Sequence, residues 1–318
     1  MKIVFLDRAT LAEQINLRTA NFPHQWLNFE TSLEQQVVAR AQDADIIVVN
    51  KVPLQAASLA QLPKLKMIAV AATGTNNVDL NYAQQKGIVV SNIRDYAAQS
   101  VAEHSIALMF NLRRNIMAYH HAIQRGRWQQ AQQFCFFDFA IDNLAGQTLT
   151  LIGGGNLGQA TAKLAQQLGM QVVFAERKLR SPRPGKVAFE EALAMADVLS
   201  IHCPLNSETE GLIKQPEFAV MKPNALVINT ARGGIVDEQA LLNALQSKQI
   251  AGAASDVSVL EPPADNSPLK EALKLDNFIL TPHVAWASTQ NMQQLADQLI
   301  DNIEAFVAGD PRNQVFAN

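Results

Sequence analysis

The feature that most constrains the fold is an alternation of short apolar runs, rich in β-branched residues, with longer stretches of helical periodicity. This alternation is typical of parallel sheets with helical crossovers. The runs are continuously apolar, which indicates strands that are covered on both faces. The predicted strands form two series: residues 2–6, 45–49, 67–71 and 88–91, and then residues 148–152, 171–175, 198–202, 225–229, 252–255 and 278–281.

Two long helical stretches accompany these series. One, residues 100–128, separates them, and the other, residues 289–308, closes the chain. The length of 318 residues fits two domains at about 150 residues each. We therefore expect an α/β fold with two doubly wound parallel-sheet domains and a cleft between them.

Charge and hydropathy exclude several kinds of partner. The net charge of −3 provides no field that attracts nucleic acid or an anionic membrane. The apolar runs are much shorter than the ~20 residues of a membrane helix, and Asp7 comes too early for a signal peptide. Cys135 and Cys203 form neither a disulfide framework nor a paired metal motif. We expect a cytoplasmic protein without a metal site that binds small molecules.

A glycine-rich turn of the GxGxxG type, residues 153–158, joins a predicted strand to a helical stretch, residues 159–168. Glycines in such a turn allow a tight bend and a close approach of a diphosphate, which the free N–H groups of the helix bind. Such turns also occur without a ligand, but the strand before it and the helix after it favour a dinucleotide site. The candidate contacts are Gly153, Gly155, Asn156, Leu157 and Gly158.

Glu176 ends the next predicted strand, at the spacing that the dinucleotide fingerprint requires. A carboxylate there can accept both ribose hydroxyls of NAD and repels the 2′-phosphate of NADP. Directly after Glu176 comes a basic loop that contains Arg177, Lys178, Arg180 and Arg183. This loop is either a solvated surface loop or a cluster that could neutralise the 2′-phosphate of NADP. The pattern favours NAD over NADP.

Arg232, Glu261 and His283 follow neighbouring predicted strands of the second series. Reduction of a 2-keto acid by a nicotinamide needs these residue types. Arginine binds a carboxylate bidentately, and histidine protonates a carbonyl oxygen near neutral pH. A carboxylate beside the histidine favours its protonated form. Taken alone, each residue also has a structural interpretation. Arg232 could pair with a surface acid, Glu261 could lie in a proline-rich turn, and His283 could be a buried, hydrogen-bonded histidine. Together, after a dinucleotide loop, they favour catalysis.

Over nearly its whole length the chain resembles the D-isomer-specific 2-hydroxyacid dehydrogenase family. The resemblance rests on several motifs. They are ATGTNNVD at residues 72–79, VAEH at 101–104, the glycine loop, HCPL at 202–205, residues 229–237, residues 256–262 and TPHVAW at 281–286. It implies that Arg232, Glu261 and His283 are the catalytic set. It also implies a substrate carboxylate site at Thr73, Gly74, Thr75 and Arg232, nicotinamide contacts at Thr230, Ala231 and Asp256, and adenine contacts at Cys203 and Pro204.

The resemblance also implies a discontinuous arrangement of domains. A flavodoxin-like substrate domain, residues 1–98 and 286–318, would contain an inserted Rossmann-type NAD-binding domain, residues 99–285. A homodimer interface is implied at residues 100–127.

Residues 50–53, residues 72–78 and Trp286 are most similar to the glycerate dehydrogenase (hydroxypyruvate reductase) branch of the family. This similarity implies NADH-dependent reduction of hydroxypyruvate to D-glycerate. The enzyme alternatives are reductases of D-lactate, phosphoglycerate or 2-keto acids in general. A nicotinamide-sensing, corepressor-like binding protein is the alternative from another class.

Overall fold

The computed structural model describes residues 1–317, which divide into two compact units. The first unit comprises Met1–Tyr96 and the segment that begins at Ala287, and the second comprises Ala97–Trp286. Each unit contains one parallel β-sheet, so the predicted α/β fold class is confirmed. In the part of the chain that the structure describes, no helix has the length and apolarity needed to cross a membrane.

The sheet of the first unit has the strand order of flavodoxin-like folds, β2-β1-β3-β4-β5. Its strands are β1 (Lys2–Phe5), β2 (Gln25–Asn28), β3 (Ile46–Val49), β4 (Met67–Val70) and β5 (Val89–Ser91), and its first helices are α1 (Val37–Ala41), α2 (Ala56–Leu59) and α3 (Leu80–Gln85). Every residue of β3 and β4 is buried, because both strands are central and wholly apolar. β2 was not predicted. It is an edge strand with exposed ends and no β-branched residue.

The second unit begins with three helices, α4 (Ala98–Arg113), α5 (Ile116–Gln124) and α6 (Arg127–Ala131). The prediction of one continuous helical stretch over residues 100–128 was therefore wrong. Asn115 between α4 and α5, and Gly126 before α6, have φ values of +50° and +80°. Residues in this left-handed conformation interrupt a right-handed helix.

The remaining elements of the second unit alternate strictly. They are β6 (Thr148–Ile152), α7 (Asn156–Gln167), β7 (Gln171–Phe174), α8 (Phe189–Met195), β8 (Val198–Ile201), α9 (Gln215–Val220), β9 (Leu226–Asn229), α10 (Glu238–Gln246), β10 (Gly252–Ser255), α11 (Pro268–Ala272) and β11 (Phe278–Leu280). The sheet order is β11-β10-β9-β8-β6-β7. One further parallel bridge joins Ala175, which directly follows β7, to Val187. If Val187 is counted as a short additional edge strand next to β7, the strand order is that of dinucleotide-binding Rossmann sheets.

A long helix returns the chain to the first unit. This helix, α12 (Thr289–Val307), starts at Ser288, whose side chain accepts a hydrogen bond from the N–H of Asn291. Its buried face includes Leu295, Leu299 and Ile303. In the second unit, parallel pairing directs the ends of β6, β8, β9, β10 and β11 to one edge of the sheet, where ligands of open α/β sheets bind.

Candidate active site

The turn between β6 and α7 needs glycine at two positions because the backbone is tightly packed there. Gly153 has a φ of +106°, and a Cβ on it would lie 2.6 Å from the carbonyl carbon of His202. A Cβ on Gly158 would lie 2.1 Å from the carbonyl oxygen of Gly153. These glycines let the first turn of α7 lie against the ends of β6 and β8.

Gly155 differs from its neighbours, because the protein itself does not require glycine there. Its φ is −76°, and a Cβ would meet no atom within 4 Å. The N–H groups of Gly154, Gly155 and Leu157 donate to no acceptor within residues 1–317. Unused donors at the start of a helix, beside space free of side chains, fit the diphosphate of a dinucleotide.

Glu176, just after β7, carries a buried carboxylate that Arg183 covers. Nε and Nη2 of Arg183 donate to the two carboxylate oxygens, each at 2.6 Å. The backbone N–H groups of Arg177 and Arg183 donate to the same oxygens at 2.8 and 3.2 Å. The Arg183 guanidinium, followed by these N–H groups, holds the pKa of Glu176 far below its ordinary value. Glu176 is thus anionic, and its contact with a ribose stays a prediction.

After β8 the chain contains two groups that burial keeps neutral. Burial lowers the pKa of His202 to about 4, and its Nε2 lies 2.9 Å from Oγ of Ser200. Burial also raises the pKa of the Cys203 thiol to about 11. His202 therefore has a structural hydrogen bond, and Cys203 presents a neutral thiol beside the exposed Pro204.

His283 and Glu261 form the central pair of the site. Nδ1 of His283 lies 2.7 Å from Oε2 of Glu261, whose Oε1 accepts the N–H of Ser258 at 3.2 Å. The imidazole and carboxylate side chains are 24% and 37% exposed, so solutes can reach the pair. In the described residues, Nε2 of His283 has no hydrogen-bond partner. A histidine held at Nδ1 by a carboxylate can exchange a proton with a ligand at Nε2.

The backbone of His283 is strained and firmly held. Its φ is +56°, a conformation that costs about 1–3 kcal/mol for a residue other than glycine. Asp256, which is 1% exposed, accepts the N–H groups of Val284 and Ala285 at 3.0 and 2.8 Å. The indole Nε1 of Trp286 donates to the carbonyl of His283 at 3.0 Å. Asp256 therefore supports the turn that carries His283, and its predicted contact with nicotinamide stays a prediction.

Arg232 lies in the loop after β9, which the side chain of Asn229 shapes. Asn229 accepts the N–H of Ala231 at 3.1 Å and donates to the carbonyl of Arg232 at 3.0 Å. Nη1 of Arg232 donates to the carbonyl of Ala231 at 2.7 Å. The next residue, Gly233, packs so closely that a Cβ would lie 2.0 Å from the carbonyl oxygen of Ser258. The loops that carry Arg232 and Glu261 are therefore in direct contact.

Thr230, in the same loop, lies against α4. Its hydroxyl is 3.1 Å from that of Ser105, and both residues are buried. His104, one residue earlier on α4, has its Nε2 3.1 Å from Oγ1 of Thr281, which donates to Asp256. These contacts place Thr230 beneath the loop, and its predicted contact with nicotinamide stays a prediction.

The predicted carboxylate loop, Thr73 to Thr75, belongs to the first unit and follows β4. Oγ1 of Thr73 donates to the carbonyl of Ile93 at 2.8 Å, and Asn92 donates to the carbonyl of Thr73 at 2.7 Å. Within residues 1–317, the N–H groups of Thr73, Gly74 and Thr75 have no acceptor. Three such donors can bind an anion. That this loop acts together with Arg232 stays a prediction.

The sequence did not predict the contacts of three further residues near the site. Arg183 follows Glu176 by a loop, and only the fold shows that it reaches the carboxylate. Trp286 was noticed as part of a motif, but its hydrogen bond to His283 depends on the strained turn. Glu238 directly follows the motif that contains Arg232, and its Oε1 accepts the N–H of Val259 at 2.8 Å, in the loop that carries Glu261. Its acidic type at the start of a helix was the only signal in the sequence. Within residues 1–317, no group of three His, Cys, Asp or Glu side chains could hold a metal ion.

Residues 106–285 match the model of the D-isomer specific 2-hydroxyacid dehydrogenase, NAD binding domain. A glycerate dehydrogenase of Methylorubrum extorquens is 49% identical over 317 residues, which cover 99% of each chain. The chain belongs to the D-isomer-specific 2-hydroxyacid dehydrogenase family. It is an NAD-binding oxidoreductase of 2-hydroxy acids, and its second unit contains the matched NAD-binding domain.

Two further proteins are similar to this chain over most of its length. A hydroxypyruvate reductase of Blautia hydrogenotrophica is 36% identical and covers 88% of each chain. The structure of an acyclic imino acid reductase in complex with NADPH and D-Arg matches with a TM-score of 0.83 and 28% identity. That match covers 99% of this chain and 100% of the reductase chain.

Proposed function

We propose that this dehydrogenase reduces hydroxypyruvate to D-glycerate with NADH. The observation that carries the proposal is the His283–Glu261 pair, 2.7 Å apart at the sheet edge that also holds the glycine loop. The 49% identical glycerate dehydrogenase and the hydroxypyruvate reductase support the choice of substrate.

Each polar group has one task in this reaction. Bound NADH supplies the hydride equivalent that reduces the keto carbon. Arg232 binds the substrate carboxylate. The first unit offers its own group of anion-binding donors, the free N–H groups of Thr73, Gly74 and Thr75. His283 donates the proton on Nε2 to the keto oxygen, which becomes the hydroxyl oxygen of the product. Glu261 holds the imidazole at Nδ1 and stabilises its positive charge before transfer. In the reverse direction, neutral His283 accepts the hydroxyl proton.

The residues around the glycine loop would hold the cofactor. The N–H groups of residues 154, 155 and 157 would bind the diphosphate, with Cys203 and Pro204 on the adenine side. Glu176 supports a preference for NAD, because an anionic carboxylate repels a 2′-phosphate. Arg183 reduces this repulsion, so the preference is expected to be moderate. The NADPH complex of the imino acid reductase indicates that related proteins can accept the phosphorylated cofactor.

We also assign the substrate-binding role to the first unit and propose that the protein is a cytoplasmic homodimer. Large apolar side chains are exposed along one segment of the second unit: Ile116, Met117, Ile123, Trp128, Phe134, Phe137 and Ile141. Phe134 and Phe137 are 88% and 80% exposed, which is typical of a protein interface. Both cysteines are free thiols, which fits a reducing compartment.

A panel of 2-keto acids tests the proposal. Hydroxypyruvate, glyoxylate, pyruvate, 3-phosphohydroxypyruvate and a branched 2-keto acid are each mixed with NADH or NADPH, and the nicotinamide absorbance is followed. We expect the highest kcat/KM for hydroxypyruvate with NADH. Another preferred acid would overturn the choice of substrate. Binding of NADH without turnover of any acid would favour the nicotinamide-sensing protein.

A further inference from the structure

Glu238, the first residue of α10, reaches out of its helix to the loop that carries Glu261. Its Oε1 accepts the N–H of Val259 at 2.8 Å and the hydroxyl of Ser258 at 3.1 Å. Its Oε2 lies 3.4 Å from the hydroxyl of Ser267, at the far end of the same loop. One carboxylate therefore holds both ends of the segment that contains Glu261.

The start of α10 does not need these contacts. Asp237 is already the N-cap, and its Oδ1 accepts the N–H of Ala240 at 2.7 Å. An acidic residue in the first turn adds a favourable interaction with the helix dipole, but this needs no specific partner. Glu238 instead directs its acceptor atoms to Ser258 and Val259.

The segment that Glu238 holds has little apolar packing of its own near the catalytic pair. Val259 and Leu260 are 61% and 63% exposed. Ser258, in contrast, is buried, and its N–H donates to Oε1 of Glu261 at 3.2 Å. The connection is therefore continuous: Glu238 holds Ser258, Ser258 holds Glu261, and Glu261 holds Nδ1 of His283.

We propose that Glu238 is a positioning residue for proton transfer, which fixes Glu261 against His283 through the backbone and side chain of Ser258. This inference rests on the proposed catalytic role of the pair. As a positioning residue, Glu238 contacts neither the substrate nor the cofactor. Its loss would let the 258–261 segment move, and a displacement of about 1 Å can reduce a rate by about 100-fold.

The first test replaces Glu238 by alanine and by glutamine. Glu238→Ala is expected to lower kcat with hydroxypyruvate by about 10- to 100-fold, with little change in the Kd for NADH. Glu238→Gln keeps a carbonyl oxygen for Ser258 and Val259, and its amide can donate to Ser267. We therefore expect it to restore most of kcat. Loss of activity in both variants at unchanged Tm would contradict a role based on these hydrogen bonds.

Glu190→Ala is the matched control. Glu190, like Glu238, is an acidic residue in the first turn of a helix of the second unit, here α8. It is exposed and has no hydrogen-bond partner in the described part of the chain. If loss of a first-turn charge were the cause, Glu190→Ala would reduce kcat as Glu238→Ala does. We expect kcat to remain close to that of the parent enzyme, because Glu190→Ala removes no hydrogen bond within the described residues.

A double-mutant cycle with Glu261→Gln decides whether Glu238 acts through Glu261. If it does, Glu238→Ala removes little further activity once Glu261 is replaced. An equal fold-loss in both backgrounds would overturn the inference and leave the proposed function intact. Full activity of Glu261→Gln itself would instead remove Glu261 from the mechanism, and the inference would fail with it.

Discussion

Arg183 holds Glu176 through two N···O contacts of 2.6 Å, so the carboxylate predicted to meet the ribose already has a cationic partner. Lys186, with its Nζ 3.7 Å from Oε1 of Glu176, adds a second positive charge. An isolated carboxylate would exclude NADP strongly, whereas this cluster combines repulsion of a 2′-phosphate with attraction to it. We therefore expect cofactor preference to depend on the pair and not on Glu176 alone.

Replacing Arg183 is expected to sharpen the preference for NAD. Arg183→Ala leaves Glu176 with less positive charge nearby, so the Kd for NADPH should rise relative to that for NADH by about tenfold. Glu176→Gln should shift the ratio in the opposite direction. Titration of nicotinamide fluorescence with each variant measures both constants. An unchanged ratio in both variants would show that neither side chain meets the 2′ position.

Gly155 and Gly153 should respond differently to the same substitution. Gly155→Ala puts a methyl group into open space at an ordinary φ, so the free energy of unfolding should not fall. The methyl group should nevertheless obstruct the diphosphate and raise the Kd for NADH by at least about tenfold.

In Gly153→Ala, the positive φ and the contact with His202 should destabilise the fold by about 2–4 kcal/mol. Urea unfolding and NADH titration separate the two effects. Tight NADH binding by Gly155→Ala would contradict the diphosphate site.

His202 should make the protein less stable in mild acid. Burial lowers its pKa from the model-peptide value of 6.5 to about 4, so the unfolded chain binds more protons between these values. Stability is therefore unaffected above pH 6.5 and falls as the pH decreases towards 4. Between pH 7 and pH 5, this histidine should lower the free energy of unfolding by about 2 kcal/mol. Urea unfolding at both pH values should show a smaller loss for His202→Asn. Equal losses in both proteins would refute this assignment.

The exposed phenylalanines predict the assembly state. Phe134→Asp combined with Phe137→Asp places two charges in the proposed interface, which should convert a dimer into monomers. Light scattering after size-exclusion chromatography measures the mass directly. Leu33→Asp is the control, because Leu33 is 59% exposed but lies in the first unit. A monomeric parent protein, or a dimer that survives both charges, would exclude this interface.

Much of this architecture could be predicted because it follows from continuous burial. β3 and β4 are uniformly apolar, so their strands were predicted to within one residue, and the GxGxxG turn was predicted from local rules. β2 was missed because an exposed edge strand has no such pattern. The helix break at Asn115 was missed because a positive φ at asparagine leaves little trace in sequence.

In the candidate site, too, residues that follow strand ends could be predicted, whereas contacts across loops could not. His283, Glu261 and Arg232 could be proposed because the ends of parallel strands meet at one edge. The contacts of Arg183 with Glu176 and of Glu238 with Val259 could not, since each spans a loop whose course only the folded chain defines. Contacts made across a loop are thus harder to predict than the positions of residues that follow strand ends.

The most direct test of the proposed reaction compares the parent protein with His283→Gln in the oxidation of NADH by hydroxypyruvate. We predict that the parent protein forms one D-glycerate for each NADH oxidised. His283→Gln should bind NADH with an unchanged Kd but turn over about 100- to 10,000-fold more slowly, because the proton donor is lost. Full turnover by His283→Gln would contradict the role of His283 as proton donor, and no turnover of hydroxypyruvate by the parent protein would contradict the proposed function.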